Sequence, residues 1–285
     1  MANIIRSAKP GSDWSTNDLL AYNITIQTQT VVDFFGHELS SPIDHLDPIL
    51  LSPFDPNILS LDHSTCGISV QTYRFLEYLN TISCPNAPDY SELLAFANSV
   101  LEVTDFDRQI GMLLLMLYTL PLTICGDNDC KAIPDICLLS NQRKPVILLL
   151  VQLDRDNRAS GLRDPVPPVI AGAIATFQYN NRNRAEMGLP TLDKMIIPCI
   201  TVEGTRPQFH KVPVTQHLSD CVATGQFPTQ KTVVTCCGPP APPDAYEGME
   251  FPDYRYTTFR YYDAFRDLAE QFWAPFLTGC ERSYK

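Results

Sequence analysis

The chain has 285 residues, of which 45% are hydrophobic and 10% aromatic, and its formal net charge is −11. This length and apolar content suffice for a large buried core. An acidic chain repels a phosphate backbone unless its basic residues cluster, so the composition disfavours a nucleic-acid partner without excluding one.

The sequence carries no signal for export or membrane insertion. The first residues lack the continuous apolar core of a signal peptide, and the longest apolar run, residues 112–120, is shorter than the roughly 20 residues that span a bilayer. The ten cysteines lie in apolar surroundings without a second pair at zinc-ligand spacing, which is typical of reduced, buried thiols. We therefore expect a cytoplasmic or nuclear protein that is not secreted and has no membrane partner.

Residues 1–65 are rich in turn formers, and we predict an irregular N-terminal extension packed on a main domain of residues 66–285, within one globular unit. A short helix is expected near 15–22, with Ser15 or Thr16 as its N-cap. His37, His45 and His63 lie among acidic residues, but their spacing matches no metal motif, so a solvated loop is predicted.

The remaining elements follow from apolar periodicity and from capping and turn residues. Asp89 and Glu92 have the spacing of a capping box, which predicts a helix over 89–103. In chain order we predict a helix over 68–79, the helix over 89–103, strands over 113–124, 133–139 and 146–153, a helix over 169–187, a hairpin of 195–202 and 209–214, a strand over 231–236, and an aromatic helix over 254–276.

The most informative stretch is the hairpin within residues 131–156. Pro134-Asp135 stands at the head of its first strand, and Gln152-Leu153-Asp154-Arg155 ends its second. This layout resembles the core hairpin of the PD-(D/E)XK nuclease superfamily. The order helix, three strands, helix, two strands is similar to the αβββαβ core of the restriction-endonuclease-like fold. The sequence thus predicts an α/β (α+β) protein with a mixed central sheet flanked by helices, an N-terminal extension and a C-terminal aromatic helix.

Residues from about 4 to 276 also resemble a family of basidiomycete (mushroom) proteins with a degenerate core of this kind. In that family the stretch at 152–155 reads Gln-Glu-Asp-Lys, and a helix similar to IAEAIAAFQYNN follows. Gln152, Asp154 and the run 177–181 (Phe-Gln-Tyr-Asn-Asn) fit this pattern. The chain departs from this family pattern at Leu153, Arg155 and Gly172.

The resemblance implies a set of site residues. In the nuclease superfamily the Asp of the Pro-Asp pair and the acid of the tripeptide hold a divalent metal, beside a lysine. Asp135 matches the first acid, whereas Leu153 and Arg155 replace the other two groups. Alternation along a strand puts 153 and 155 on one face and 152 and 154 on the other. The candidate catalytic residues are Asp135, Gln152, Asp154 and Arg155, with Asp135 and Asp154 as metal ligands only if the site is active. The candidate ligand-binding residues are Glu92, Gln178, Tyr179, Arg182 and Arg184.

Three functions stay open. The favoured hypothesis is a repurposed or catalytically degenerate protein that binds an unknown ligand or protein partner in the former nuclease cleft, without a cofactor. The first alternative is an active Mg²⁺-dependent phosphodiesterase with migrated ligands. It would use a basic rim formed by Arg155, Arg158, Arg163, Arg182 and Arg184. The second alternative is an enzyme acting on an unrelated small molecule between the sheet and the aromatic helix.

Overall fold

The computed structural model describes residues 6–39, 43, 45–53, 67–83, 89–109, 111–141, 144–154, 164–241 and 248–277. Seven of its strands form one mixed sheet that helices flank. The strands are β1 (Ile24–Thr28), β2 (Met112–Met116), β3 (Leu120–Pro121), β4 (Lys131–Ala132), β5 (Ile136–Asn141), β6 (Pro145–Leu153), β7 (Lys194–Glu203), β8 (Arg206–Thr215) and β9 (Thr232–Cys237). The helices are α1 (Thr16–Ala21), α2 (Val31–Phe35), α3 (Val70–Ile82), α4 (Tyr90–Val103), α5 (Val166–Glu186), α6 (Gln216–Thr224) and α7 (Pro252–Leu277).

The strand order in the sheet is β1-β9-β8-β7-β6-β5-β2, and β3 and β4 pair separately as a short ribbon. β2 and β5 are antiparallel, as are β5 and β6, whereas β6 and β7 are parallel. Helix α5 makes the crossover between these parallel strands. β7, β8 and β9 continue as antiparallel neighbours, and β1 closes the far edge in parallel with β9.

Most of the predicted elements are confirmed. The hairpin of residues 131–156 is present as β5 and β6, whose burial on both faces matches its nearly continuous apolar sequence. α4 begins with the predicted capping box, in which Asp89 accepts from the Glu92 backbone N–H at 2.9 Å and Glu92 accepts from the Asp89 N–H at 2.8 Å. α1 likewise begins after Ser15.

Several elements differ from the sequence analysis. The strand predicted over 113–124 is broken, because Leu117 adopts a left-handed backbone with φ of 54° and ends β2. Helices α2 and α6 were not predicted. Residues 24–28, predicted to be irregular, form the edge strand β1, so the N-terminal segment contributes a strand to the sheet.

The aromatic side chains of α7 fill the space between this helix and the sheet. Phe265 packs its ring 4.8 Å from that of Phe209 on β8, and the Trp273 indole N–H donates to the Leu148 carbonyl of β6 at 2.9 Å. Each such buried ring stabilises the fold by about 1.5–3 kcal/mol. The stripe is therefore core, as the sequence predicts.

Within the described residues, no helix is both long and apolar enough to cross a bilayer. The cysteines in this part of the chain are all free thiols. Burial raises the pKa of the Cys137 thiol to about 12, so this side chain behaves as a small apolar group at neutral pH. The prediction of buried free thiols is thus confirmed for five of the seven described cysteines, whereas Cys125 and Cys130 are half-buried.

Candidate functional site

Asp135 lies at the centre of the candidate site. Its side chain is fully buried just before β5, and both carboxylate oxygens accept hydrogen bonds. Oδ1 accepts from the Tyr90 hydroxyl at 2.6 Å, and Oδ2 accepts from Gln152 Nε2 at 2.5 Å and from the Leu153 backbone N–H at 2.6 Å. Two donors fill the lone pairs of Oδ2, so a metal ion that binds through this oxygen would have to displace one of them.

The side chain beside Asp135 belongs to Gln152, whereas the sequence pattern indicates residue 153. The pairing of Ile136 with Val151 continues to place Gln152 opposite Asp135, on the same face of the sheet. Leu153 donates its backbone N–H to Asp135, and its own side chain is buried. The position next to the first acid is thus occupied by the amide of Gln152.

A cleft of about 330 Å³ opens beside Gln152, between the ends of the central strands and the N-terminus of α5. Its wall is largely apolar, with a few polar groups. Leu117 and Ile133 stand at its rim, with 46% and 42% of their surfaces exposed. The described residues lining it are Gly11, Ser12, Leu117, Ile133, Gln152, Leu153, Asp164, Pro165 and Pro168. The position and chemistry of this cleft suit a small, mostly apolar ligand.

Tyr90 was missed by the sequence analysis. It is the first residue of α4, and its hydroxyl links this helix to Asp135 across 45 positions of sequence. No local pattern marks it, because a tyrosine in a first helical turn is ordinary. Glu92, the predicted ligand-binding residue two positions later, is engaged in the capping box. The helix therefore supplies a phenol, and no carboxylate, to the Asp135 centre.

The amide side chains of α5 bind neighbouring backbone. Gln178 pairs with both backbone groups of Thr123, at 2.9 and 3.1 Å, and Asn180 pairs with those of Ile147, at 3.0 and 2.8 Å. β6 joins β7 only from Leu150 onward, so its earlier backbone groups that face away from β5 need other partners. The side-chain amide of Gln178, a predicted ligand-binding residue, thus bonds to the Thr123 backbone, and its ligand-binding role stays a prediction.

The other predicted ligand-binding residues on α5 are also dispersed. The Tyr179 hydroxyl lies 3.1 Å from that of Tyr118, and Arg182 is exposed. Arg184 is buried and donates to the carbonyls of Pro190, at 2.9 Å, and Phe276, at 3.2 Å, so it anchors the end of α7. At a rise of about 1.5 Å per residue, these side chains lie more than 15 Å along the helix from the cleft.

The remaining candidates divide between described and undescribed positions. The Asp154 backbone N–H donates to the Val202 carbonyl at 2.8 Å, and its side chain is half-buried. Arg155 lies outside the described residues, as do Arg158 and Arg163. Gly172 is buried, and a Cβ there would stand 3.1 Å from Leu150 Cδ1, so a larger residue would require that side chain to shift.

The N-terminal histidines form no metal site in the described part of the chain, where no group of three or more His, Cys, Asp or Glu side chains could hold a metal ion. His45 lies 3.3 Å from Asp263 of α7, at a polar cleft of about 570 Å³ between α3 and α4. Glu102, which also lines that cleft, accepts from Asn98. His63 lies outside the described residues.

The chain matches no protein-family model, and no curated protein is similar to it. Its fold class is mixed α/β, with a seven-stranded mixed sheet flanked by helices and a long C-terminal helix.

Proposed function

We propose that this chain is a restriction-endonuclease-like protein whose nuclease centre has lost its metal chemistry, and that it binds a ligand in the former cleft. The succession α4, β2, β5, β6, α5, β7 supports this assignment, because it follows the αβββαβ order with an antiparallel second strand. Pro134-Asp135 stands at the head of that second strand, as in the nuclease pattern.

The observation that carries the proposal is the state of Asp135. A catalytic carboxylate directs its oxygens at a metal, whereas Asp135 is fully buried and accepts three hydrogen bonds, two of them at the same oxygen. The side-chain amide of Gln152 donates to the Asp135 carboxylate. A second acid at position 152 would instead share a metal ion with Asp135. The centre therefore organises the strand ends and α4, and the cleft beside it remains open.

The ligand that fits this cleft is a small, uncharged and mainly apolar molecule. Among the described lining residues, none is basic, and Asp164 adds a carboxylate at the entrance. An anion such as a phosphate would meet no compensating charge on these walls. Ser12 and Gln152 offer polar groups that would orient a single hydrogen-bonding substituent of the ligand.

A titration with the neutral apolar dye Nile red tests the binding function. Enhanced fluorescence is expected with the wild type and should be lost in Ile133→Lys, which places a charge at the cleft rim. Ile26→Lys is the matched control, because Ile26 has the same 42% exposure and lies on β1 at the opposite edge of the sheet. Equal dye binding by wild type and Ile133→Lys would contradict a ligand site in this cleft.

A calorimetric Mn²⁺ titration tests the loss of metal chemistry. The wild type should bind no Mn²⁺ at millimolar concentration, whereas Gln152→Glu should gain a site, because it places a second carboxylate beside Asp135. Stoichiometric binding by the wild type, abolished in Asp135→Asn, would instead support an active phosphodiesterase.

A further inference from the structure

Strand β2 forms one edge of the seven-stranded sheet, and its sequence is Met112-Leu113-Leu114-Leu115-Met116. It contains no charge and no proline, two of the features with which proteins prevent edge strands from pairing. Leu113 and Met116 have 43% and 53% of their surfaces exposed. β1, at the opposite edge, ends in the exposed polar residues Gln27 and Thr28. A further strand would thus meet exposed apolar side chains at β2 and exposed polar side chains at the end of β1.

Only every second residue of β2 directs its backbone N–H and C=O groups toward β5. The Leu117 N–H donates to the Asp135 carbonyl, and the Gly111 carbonyl accepts from the Asn141 N–H, so the odd-numbered residues face β5. In an antiparallel ladder the residues between them direct their N–H and C=O groups away from that partner. The groups of Leu114 and Met116 therefore point outward, and in the described part of the chain no strand pairs with them.

The sequence of β2 reads the same in both directions. In an antiparallel pairing of two copies centred on Leu114, methionine meets methionine and leucine meets leucine. The Leu114 N–H of each copy would then reach the same residue's carbonyl in the other copy, and the Met116 N–H would reach the Met112 carbonyl. The Met112 N–H keeps its present bond to the Gln109 carbonyl. Such a contact is self-complementary, as two-fold symmetry requires.

We propose that β2 is a homodimerisation edge, on which two copies of this chain pair antiparallel about a two-fold axis through Leu114 and extend the sheet across the interface. The contact is short, so the dimer should dissociate with a Kd of about 1–100 µM. This inference concerns a different surface from the ligand cleft and does not depend on it.

Sedimentation velocity of the full chain, from micromolar to near-millimolar concentration, measures the association. Wild type should shift from 32.0 kDa to twice that mass. Leu114→Lys and Leu114→Glu should each weaken the dimer by at least about a hundredfold, since like charges meet at the axis. A mixture of the two variants should recover a heterodimer, because only a residue on the two-fold axis meets its own copy.

Ile26→Lys is the control on β1 and should dimerise like the wild type. Leu113→Lys serves as a second disrupting variant at a more exposed position, with folding followed by circular dichroism. A wild type that stays monomeric at near-millimolar concentration overturns the proposal. A dimer that survives folded Leu114→Lys and Leu113→Lys, or variants that fail to recover on mixing, would assign dimerisation to another surface or register.

Discussion

Asp135 and His210 are both fully buried ionisable residues on the central sheet, yet their surroundings differ. The carboxylate oxygens of Asp135 accept three hydrogen bonds, one from Tyr90 of α4 and two from residues 152 and 153 of β6. His210 on β8 has one partner, Thr201, whose hydroxyl lies 2.9 Å from Nε2, while Nδ1 has none among the described residues. Asp135 therefore holds its neighbours together through hydrogen bonds, whereas His210 is buried with one of its ring nitrogens unsatisfied by the described residues.

The difference shows two ways of accommodating a buried ionisable group. A buried carboxylate needs hydrogen-bond donors around it, and Asp135 has three. A histidine can instead remain neutral, and burial lowers the pKa of His210 to about 3. Its cross-strand neighbours, Cys199 and Cys236, add no charge that would favour the imidazolium. Asp135 is consequently a structural centre, whereas His210 is a point of sensitivity to acid.

The largest effect is expected from Asp135→Ala. It leaves the Tyr90 hydroxyl, the Gln152 amide and the Leu153 N–H without their acceptor, and we expect a loss of about 3–5 kcal/mol in the free energy of unfolding, measured by urea denaturation. Tyr90→Phe removes a single donor and should cost only about 1 kcal/mol. Equal losses for the two variants would mean that Asp135 does not organise the centre.

The second prediction concerns His210 and pH. The unfolded imidazole, with a pKa near 6.5, takes up a proton that the folded residue, with a pKa of about 3, does not. Stability from this residue is thus full above pH 6.5 and is lost as the pH falls toward 3, by about 1.4 kcal/mol per pH unit. Urea denaturation of wild type and His210→Gln at pH 7 and pH 4 measures the difference. If the free energy of unfolding fell equally between pH 7 and pH 4 in wild type and His210→Gln, His210 would already accept a proton in the folded protein.

Asn180 is a neutral counterpart to Asp135, because it also satisfies buried backbone groups from its place on α5. Asn180→Ala should lower the free energy of unfolding by about 2 kcal/mol, since it leaves both backbone groups of Ile147 without partners. Gln178→Ala, whose Thr123 partner lies nearer the surface, should cost about 1 kcal/mol. Chemical denaturation checks both, and the opposite order would contradict the importance of burial here.

The smallest effect concerns backbone strain beside Asp135. Leu117, whose N–H donates to the Asp135 carbonyl, has a φ of 54°, a conformation that costs a residue with a Cβ about 1 kcal/mol. Leu117→Gly and Leu117→Ala both remove the side chain, but only glycine removes the strain. We expect the glycine variant to be the more stable of the two by about 1 kcal/mol, measured by thermal unfolding. Equal melting temperatures would show that this backbone is unstrained.

The central hairpin, α4 and α5 could be predicted because each has local signals: continuous apolar runs, a capping box, or flanking proline and glycine. The face on which residue 152 lies could not, since it depends on the pairing of Ile136 with Val151. The backbone contacts of Gln178, a predicted ligand-binding residue, could not be predicted either, because amide side chains look alike in sequence whether they bind a ligand or neighbouring backbone. His210 has no sequence signal, because its effect comes from the apolar shell around it.

The pairing of β1 with β9 has a consequence for how the chain folds during synthesis. Ile24 lies opposite Thr232, so the strand that is made nearly first must wait for a partner about 200 residues later. At roughly 5–20 residues per second, translation leaves β1 unpaired for roughly 10–40 s. Sheet closure is therefore a late, non-local event, of the kind that makes a fold slow to form. Ribosome-bound chains that stop before residue 232 should accordingly lack the protection of β1 that complete chains acquire.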